Sequence, residues 1–341
     1  MHVDQLWRYP VKSMIGGTVE SVRLVDTGIE GDRRWACYDE AAGSVANSRR
    51  HGALMQCRAI VDGGRVEIVL PNERIVRSDS PDVDEVLSEY LGRRVTLRSL
   101  SPTIDLDLHR RGTPEHSDLM TELRTIFGRE GDEPLPDFTK FPPTVGEYET
   151  PPGTFHDCYP LLVMTTSALR SLAEALPGSV ADVRRFRPSI VLDTGDEPGH
   201  PELGWAGRRL QLGDAEIEIV NDCPRCVAVT HAIAHNIPVD RAVLRHVVRD
   251  LGQAVGAYAR VLHPGVVRVG VRRHDQVEAA GRDDARGGRS RAPARPTPST
   301  RAPIARWWLI SPPATRSRPR RTLFMQAAST ELVSLMPERA S

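Results

Sequence analysis

The first hundred residues alternate between apolar and polar positions with a period of two, the pattern of half-buried strands. "TVESVRLV" and "RVEIVL" carry it, "RRVTLRS" resumes it after a glycine, and "MHVDQLWRYPVKS" already reads as a strand. "GGT", "DTGIEGD" and "DGGR" supply the turns. The period changes once, in "SPDVDEVLSEYLG", which predicts a helix with Pro81 in its first turn, acids near its start and Gly92 after its end. Between 101 and 153 the periodicity fades. "DEPLPDFTKFPPTVGEYETPPGTFHD" is dense in proline, glycine and acids and predicts a long connector over the surface.

A second patterned block runs from 154 to 272. "LLVMTT" is a strand feeding the helix "SALRSLAEALPG", with Thr or Ser as its N-cap. "FRPSIVLD" and "RLQLGDAEIEIVND" are strands, the latter a pair joined through "LGDA". "PVDRAVLRHVVRDLG" is a helix with Asp240 near its start, and "AYARVLHPGVVRVG" predicts a hairpin closing around Pro-Gly. From 273 to 341 the chain turns to Arg, Pro, Ser and Gly without period, which predicts a disordered tail carrying two apolar patches, "ARWWLI" and "TLFMQAASTELVSLM". The fold class expected is mainly β with a few helices (α+β). A smaller β-barrel-like domain (1–100) and a Pro-rich connector (101–153) precede a larger β-barrel domain (154–272).

Composition narrows the function classes. The 341 residues carry no formal net charge, so no global field draws the chain to nucleic acid or membrane, and neither is an expected partner. No stretch has the length and apolarity of a membrane span, the N-terminus has no leader pattern, and five widely spread cysteines do not form a secreted disulfide framework. A cytoplasmic location is expected. Of the 45 basic residues only Lys12 and Lys140 are lysine.

The stretch "EIEIVNDCPRCVAVT" places Cys223 and Cys226 three apart. Three readings stand beside the plain one of two half-buried thiols on a strand end. With His231 and His235 the pair makes a Cys₂His₂ set, though the loop between the pairs is short for zinc. A redox dithiol wants the pair at a helix start, whereas Val-Ala-Val-Thr favours a strand. The third needs one thiolate only: Arg225 stabilises the thiolate of Cys226, which ligates a soft metal whose other ligands come from an organic carrier such as molybdopterin.

Lys12 and Ser13 precede Gly16 and Gly17 in "YPVKSMIGG", and an ammonium, a hydroxyl and accessible backbone N–H groups suit a phosphate. Arg33 follows Asp32 in "GDRRWACYD", and Arg187 precedes a proline and a strand in "RRFRPSIVLD". Each arginine taken singly also fits a surface salt bridge. In this order, with "LLVMTTSALRSL", "CPRCVAVT" and "PGVVRVG", these stretches resemble the MOSC-domain proteins that carry an N-terminal β-barrel domain, similar to the mitochondrial amidoxime-reducing component and its bacterial relatives. They span residues 3 to about 271.

The resemblance implies a molybdenum cofactor (Mo-molybdopterin) held between the two domains, with Cys226 ligating molybdenum as the catalytic centre. It implies that Lys12, Ser13, Arg33, Thr165 and Arg187 hold the pterin and its phosphate, and that Arg225 lies beside the ligand. Ser189 stands where the family often has Asn, and "NSR" (Asn47 to Arg49) where it has "T-x-R". "VRRHDQVEAAG" replaces its Asp-x-Val ending. Pyridoxal-phosphate binding is a further family-level association. The function implied is a molybdenum-dependent reductase of small N-oxygenated substrates, hydroxylamines and amidoximes. The tail has no cysteine, so electrons are expected from a separate flavin, iron–sulfur or haem protein. The alternative is a carrier or sulfur-transfer module with a persulfide on Cys226. No general acid stands out; Asp222, next to the cysteine pair, fits that role and an ordinary solvated carboxylate equally.

Overall fold

The protein is described here as a computed structural model over residues 1–274. The tail from 275 onward, with its two apolar patches and the disorder expected of it, lies outside the described residues. The chain is mainly β, with five α-helices among the described residues.

The largest sheet has eight strands. Its centre is β11 (Leu161–Thr165), flanked in parallel by β12 (Ile190–Asp193) and antiparallel by β15 (Ala254–His263). On one side follow β14 (Ala215–Pro224), β13 (Arg209–Leu212) and β17 (Arg273–His274). On the other lie β1 (His2–Arg8) and β2 (Gly17–Thr18). The N-terminal strand is thus built into the sheet of the C-terminal half. A register shift between Val3 and Gln5 opposite β12 lets Val3 and Leu6, three apart, face one core.

Three short sheets complete the fold. β3 (Ser21–Val25) pairs with β4 (Gly28–Ile29) and with β16 (Gly265–Arg268). β5 (Trp35–Asp39) lies between β6 (Ser44–Val45) and β10 (Val95–Ser99). β7 (Arg58–Asp62), β8 (Arg65–Val69) and β9 (Ile75–Arg77) form a meander. Two main cores result. One joins Val3, Leu6, Val22, Leu24 and Ile29 to Leu161, Val163, Ile190, Ile217 and Val267. The other, built from Val11, Met14, Trp35, Cys37, Ile68, Leu87 and Val95, belongs to the N-terminal half. The chain passes from the first core to the second through the "YPVKS" stretch.

The helices follow their caps. α1 (Val83–Leu91) starts at Asp82 and ends on Gly92 in the left-handed region (φ 64°), so Pro81 precedes the helix rather than opening its first turn. α4 (Thr166–Ala175) is capped by Thr165, whose side chain accepts from the Ala168 N–H, and α5 (Arg241–Asp250) by Asp240 through the Ala242 N–H.

Three expectations are corrected. The 101–153 connector holds α2 (Leu106–His109) and α3 (Leu119–Phe127), the latter capped by Asp118 and closed by Gly128 (φ 60°). "HPGVVRVG" is no hairpin: β16 leaves β15 and pairs with β3, because Val267 faces the core that Val22 and Leu24 line. "VAVT" is no strand. Pro224 ends β14, and Val227–Thr230 forms a 3₁₀ turn in which the Val229 N–H donates to the Cys226 carbonyl and the Thr230 hydroxyl to the Val227 carbonyl.

Candidate functional site

The chain crosses between the two cores at Tyr9–Ile15, and bridges hold it on both flanks. The Lys12 N–H donates to the Trp35 carbonyl (2.8 Å), and the Ile15 N–H to the Cys57 carbonyl (2.9 Å). Gly16 is required by packing: a Cβ there would sit 1.7 Å from the Arg8 carbonyl oxygen. Gly17 pairs with Arg8 in the β1–β2 ladder. The glycine pair therefore serves the crossing. Ser13 takes a left-handed backbone (φ 66°), and its Oγ accepts from the Ser48 N–H (2.9 Å), tying the "NSR" loop to the crossing.

Lys12 is 2% exposed and its Nζ donates to Asp157. Burial pulls its ammonium below the usual lysine value, and Asp157 opposes that. Asp157 is surrounded by cations, yet 57% of its side chain is accessible. Burial acts upward on its carboxyl, but Lys12, Arg49 and Arg33 outweigh it and hold the group below the usual carboxylate range. Arg49 stands 4.0 Å from Asp157 and is itself paired with Glu149.

Arg33 and Arg187 both lie over the Tyr9 ring. Their guanidinium carbons lie 5.0 and 4.4 Å from the ring centroid. Both backbones are left-handed (φ 46° and 57°), a conformation that costs a residue with a Cβ roughly 1–2 kcal/mol and that gathers at functional sites. Arg33 pairs with buried Asp32, which accepts the Tyr9 N–H (2.5 Å), and Arg187 donates to the Met14 carbonyl. Burial, and then the charge of Arg33, pull Arg187 down to about 10. His156, against the same cations, is held down at about 3 by burial and then by Arg33 and Lys12. Its Nε2 lies 3.1 Å from the Thr27 carbonyl oxygen.

Cys226 is half-buried at the start of the 3₁₀ turn. Arg49 and Arg129 both lie within electrostatic reach of it, and Arg129 was not anticipated. Arg225 points elsewhere. Its Nη2 donates to the Phe186 carbonyl (3.1 Å), its guanidinium stacks over Phe186 (5.2 Å), and its charge reaches Cys223 and Glu202. Cys223 is buried, and burial pushes its thiol up. Among the described residues no group of three or more His, Cys, Asp or Glu side chains is placed to hold a metal, so Cys223, Cys226, His231 and His235 do not assemble as a four-ligand set.

Lys12, Arg33 and Arg187 therefore meet around Tyr9 and Asp157, Ser13 turns to the "NSR" loop, and Thr165 and Arg225 meet at Glu202. The Thr165 hydroxyl donates to Glu202 Oε2 (2.7 Å) while accepting from the Ala168 N–H. Ser189 lies within the sheet, its Oγ accepting from the Leu162 N–H (3.3 Å) and its carbonyl from the Trp7 N–H (3.0 Å). Asp157, Arg49, Arg129 and Glu202 complete the constellation. Asp157 carries a sequence signal, an isolated "HD" just before a strand.

The donor set fits an anionic group. Lys12, Arg33, Arg49 and Arg187 converge on one accessible carboxylate, and a buried donor beside two of them, Tyr9 Oη, has no protein partner.

Fold and site define a two-core β protein whose cation-lined crossing stands beside a thiol on a Cys-Pro-Arg-Cys loop. Residues 1–96 match the MOSC N-terminal beta barrel domain and residues 151–273 the MOSC domain. The chain belongs to the MOSC-domain family. It is 23% identical over 243 residues to mitochondrial amidoxime reducing component 2 of Bos taurus, covering 67% of this chain and 66% of that protein, just under two thirds of its length. Among solved structures it is similar to the YUAD protein from Bacillus subtilis (10% identity, 78% of this chain and 90% of that one, TM-score 0.38) and to YiiM from Escherichia coli (14% identity, 36% and 57%, TM-score 0.28). Among the described residues no helix is long and apolar enough to cross a membrane.

Proposed function

We propose that the chain binds the molybdenum cofactor and reduces N-oxygenated compounds such as hydroxylamines and amidoximes. The observation that carries this reading is the meeting of Lys12, Arg33 and Arg187 around one accessible carboxylate, in a chain that places Cys226 in the field of Arg49 and Arg129. Lys12, Ser13, Arg33 and Arg187 would hold the pterin phosphate, and Cys226 would ligate the metal. Thr165, Ser189 and Arg225 act from behind, fixing the sheet and the loop that present the first group. Once bound, the cofactor would supply two-electron redox chemistry.

The chain's own residues do the rest. The buried cations would neutralise the anion by exchanging Asp157 for it. Tyr9 keeps Arg33 and Arg187 apart and aimed. The short turn after Cys226 holds the thiol at the edge of the cleft instead of in the core. A small N-oxygenated substrate fits this reading, as does a separate electron-donor protein. A reducing compartment such as the cytoplasm agrees with five free cysteines.

The test is the molybdenum and pterin content of protein made in a host that produces the cofactor, wild type beside Cys226→Ser. Stoichiometric molybdenum lost in the variant supports the reading and leads to assays of hydroxylamine and amidoxime reduction with an artificial donor. Sulfur carried on Cys226 without metal moves the chain to sulfur transfer. Neither metal nor pterin in either protein refutes both.

A further inference from the structure

We propose that Arg129, in the connector, is a positioning residue that fixes the peptide leading into Cys226. The inference rests on the reading of Cys226 as the metal-binding thiol.

α3 ends at Gly128, and the turn there is closed by the Gly128 N–H on the Thr125 carbonyl (3.1 Å) and the Arg129 N–H on the Arg124 carbonyl (2.9 Å). The turn is seated on the cysteine loop: a Cβ at Gly128 would come within 3.2 Å of Val227 Cβ, the residue after Cys226. Arg129 then turns inward and is 7% exposed. Its Nη1 and Nη2 both donate to the Arg225 carbonyl (3.2 and 3.3 Å), and Nη2 also to Gln253 Oε1 (2.9 Å). Nε donates to the Pro134 carbonyl (3.0 Å) and Nη1 to the Phe127 carbonyl (2.5 Å).

That carbonyl belongs to the Arg225–Cys226 peptide. The peptide is planar, so fixing its oxygen fixes the direction in which Cys226 leaves. The other side of Arg225 is held too, its N–H donating to the Gln253 carbonyl (2.8 Å) from a backbone at φ 75°. Pro134 and Phe127 orient the guanidinium, and the guanidinium orients the loop. Lysine keeps the charge but has no planar fork, so it cannot make these bonds together.

The experiment compares wild type with Arg129→Lys and Arg129→Met, after circular dichroism and thermal melting have established folded protein. Hydrogen exchange is read at the Arg225 and Val229 amides, and molybdenum X-ray absorption reads the Cys226 sulfur at the metal. Both variants should exchange these two amides about tenfold faster, with the β5 and β10 amides unchanged, and should weaken or disorder the cysteine sulfur contribution. Wild-type exchange in Arg129→Lys, or exchange that rises evenly over the whole chain, overturns the proposal. If wild type holds no metal, the functional reading fails while the exchange measurement still decides whether Arg129 fixes the loop.

Discussion

Lys12 and Asp157 are joined by an ion pair across 145 positions of sequence, the ammonium 2% exposed and the carboxylate open to the cleft. Arg49, Arg33 and Arg187 share the field of that carboxylate. Asp157 is thus the internal anion of a cation cluster, and its position is the one that a phosphate would contest.

Asp157→Asn removes that anion and leaves buried Lys12 without its paired carboxylate, with Glu149 the remaining acid in its field. Losing one partner of a buried pair costs roughly 3–5 kcal/mol, and the accessible side of Asp157 puts this case at or below the lower end. Inorganic phosphate should then stabilise the variant more than wild type, because it binds the folded state with one competitor fewer. Melting temperature with and without phosphate checks it. A variant that responds to phosphate no more than wild type does would show that Asp157 does not occupy the anion position.

His156 predicts a loss of stability in acid. Its folded value, about 3, lies below the ordinary 6.5, so between those values the unfolded chain binds more protons. The stability it permits is complete above the unfolded value and is lost as pH falls below it. At pH 5 the loss is roughly 2 kcal/mol relative to neutral pH. His156→Gln, which can still donate to the Thr27 carbonyl, should flatten this part of the profile in urea titrations at pH 7 and pH 5. An equal loss in both proteins would assign it to other groups.

How much of this was legible in the chain depends on whether a residue's neighbours are near in sequence. The alternation of "SVRLV" and "RVEIV" and the cap of α4 are local, and they foretold their elements. α3 was legible in principle from Asp118 and Gly128 at its two ends, but the surrounding Pro and Gly hid it. "VAVT" misled because strand preference counts only where a partner strand is available, and Pro224 ends the ladder. Lys12 stood out by residue type in an arginine-rich chain, and Arg33 and Arg187 through the motifs that carry the family resemblance. Arg129 and Glu202 did not, because a buried arginine or glutamate looks like any other until its partners are known.

Glu202 predicts the opposite slope to His156. The carboxyl is fully buried, with Oε2 on the Thr165 hydroxyl and Oε1 unpartnered, and burial raises it to about 7 against the ordinary 4.5. Between those values the unfolded chain has lost the proton that the folded chain keeps. Its contribution is therefore complete below about 4.5 and declines as pH rises through 7. Glu202→Gln keeps an acceptor for Thr165 without the charge. It should gain on wild type steadily from pH 5 to pH 8, by up to about 3 kcal/mol. A constant difference across that range would mean that Glu202 is ionised throughout, held by Arg225.

Glu149 tests whether the connector is fastened to the N-terminal half by charge. The carboxylate is 5% exposed and accepts from Asn47 Nδ2 (3.0 Å), from Arg49, and from Arg111 Nη1 (2.8 Å), while its N–H donates to the His109 carbonyl (2.8 Å). Burial acts upward on it, but Arg49, Arg111 and Lys12 outweigh burial and hold it below the ordinary 4.5. Its stabilisation is therefore present above that value and lost as pH falls through the lower folded one. Glu149→Gln keeps the shape and one acceptor but leaves Arg49 and Arg111 without their shared anion, at a cost of roughly 3–5 kcal/mol at pH 7. The cost should shrink in acid, where wild type loses the charge as well. Arg111→Met alone should cost less, since Glu149 keeps Arg49. Urea titrations of the three proteins at pH 7 and pH 4 decide it, and equal costs at both pH values would show that packing, not charge, holds the connector down.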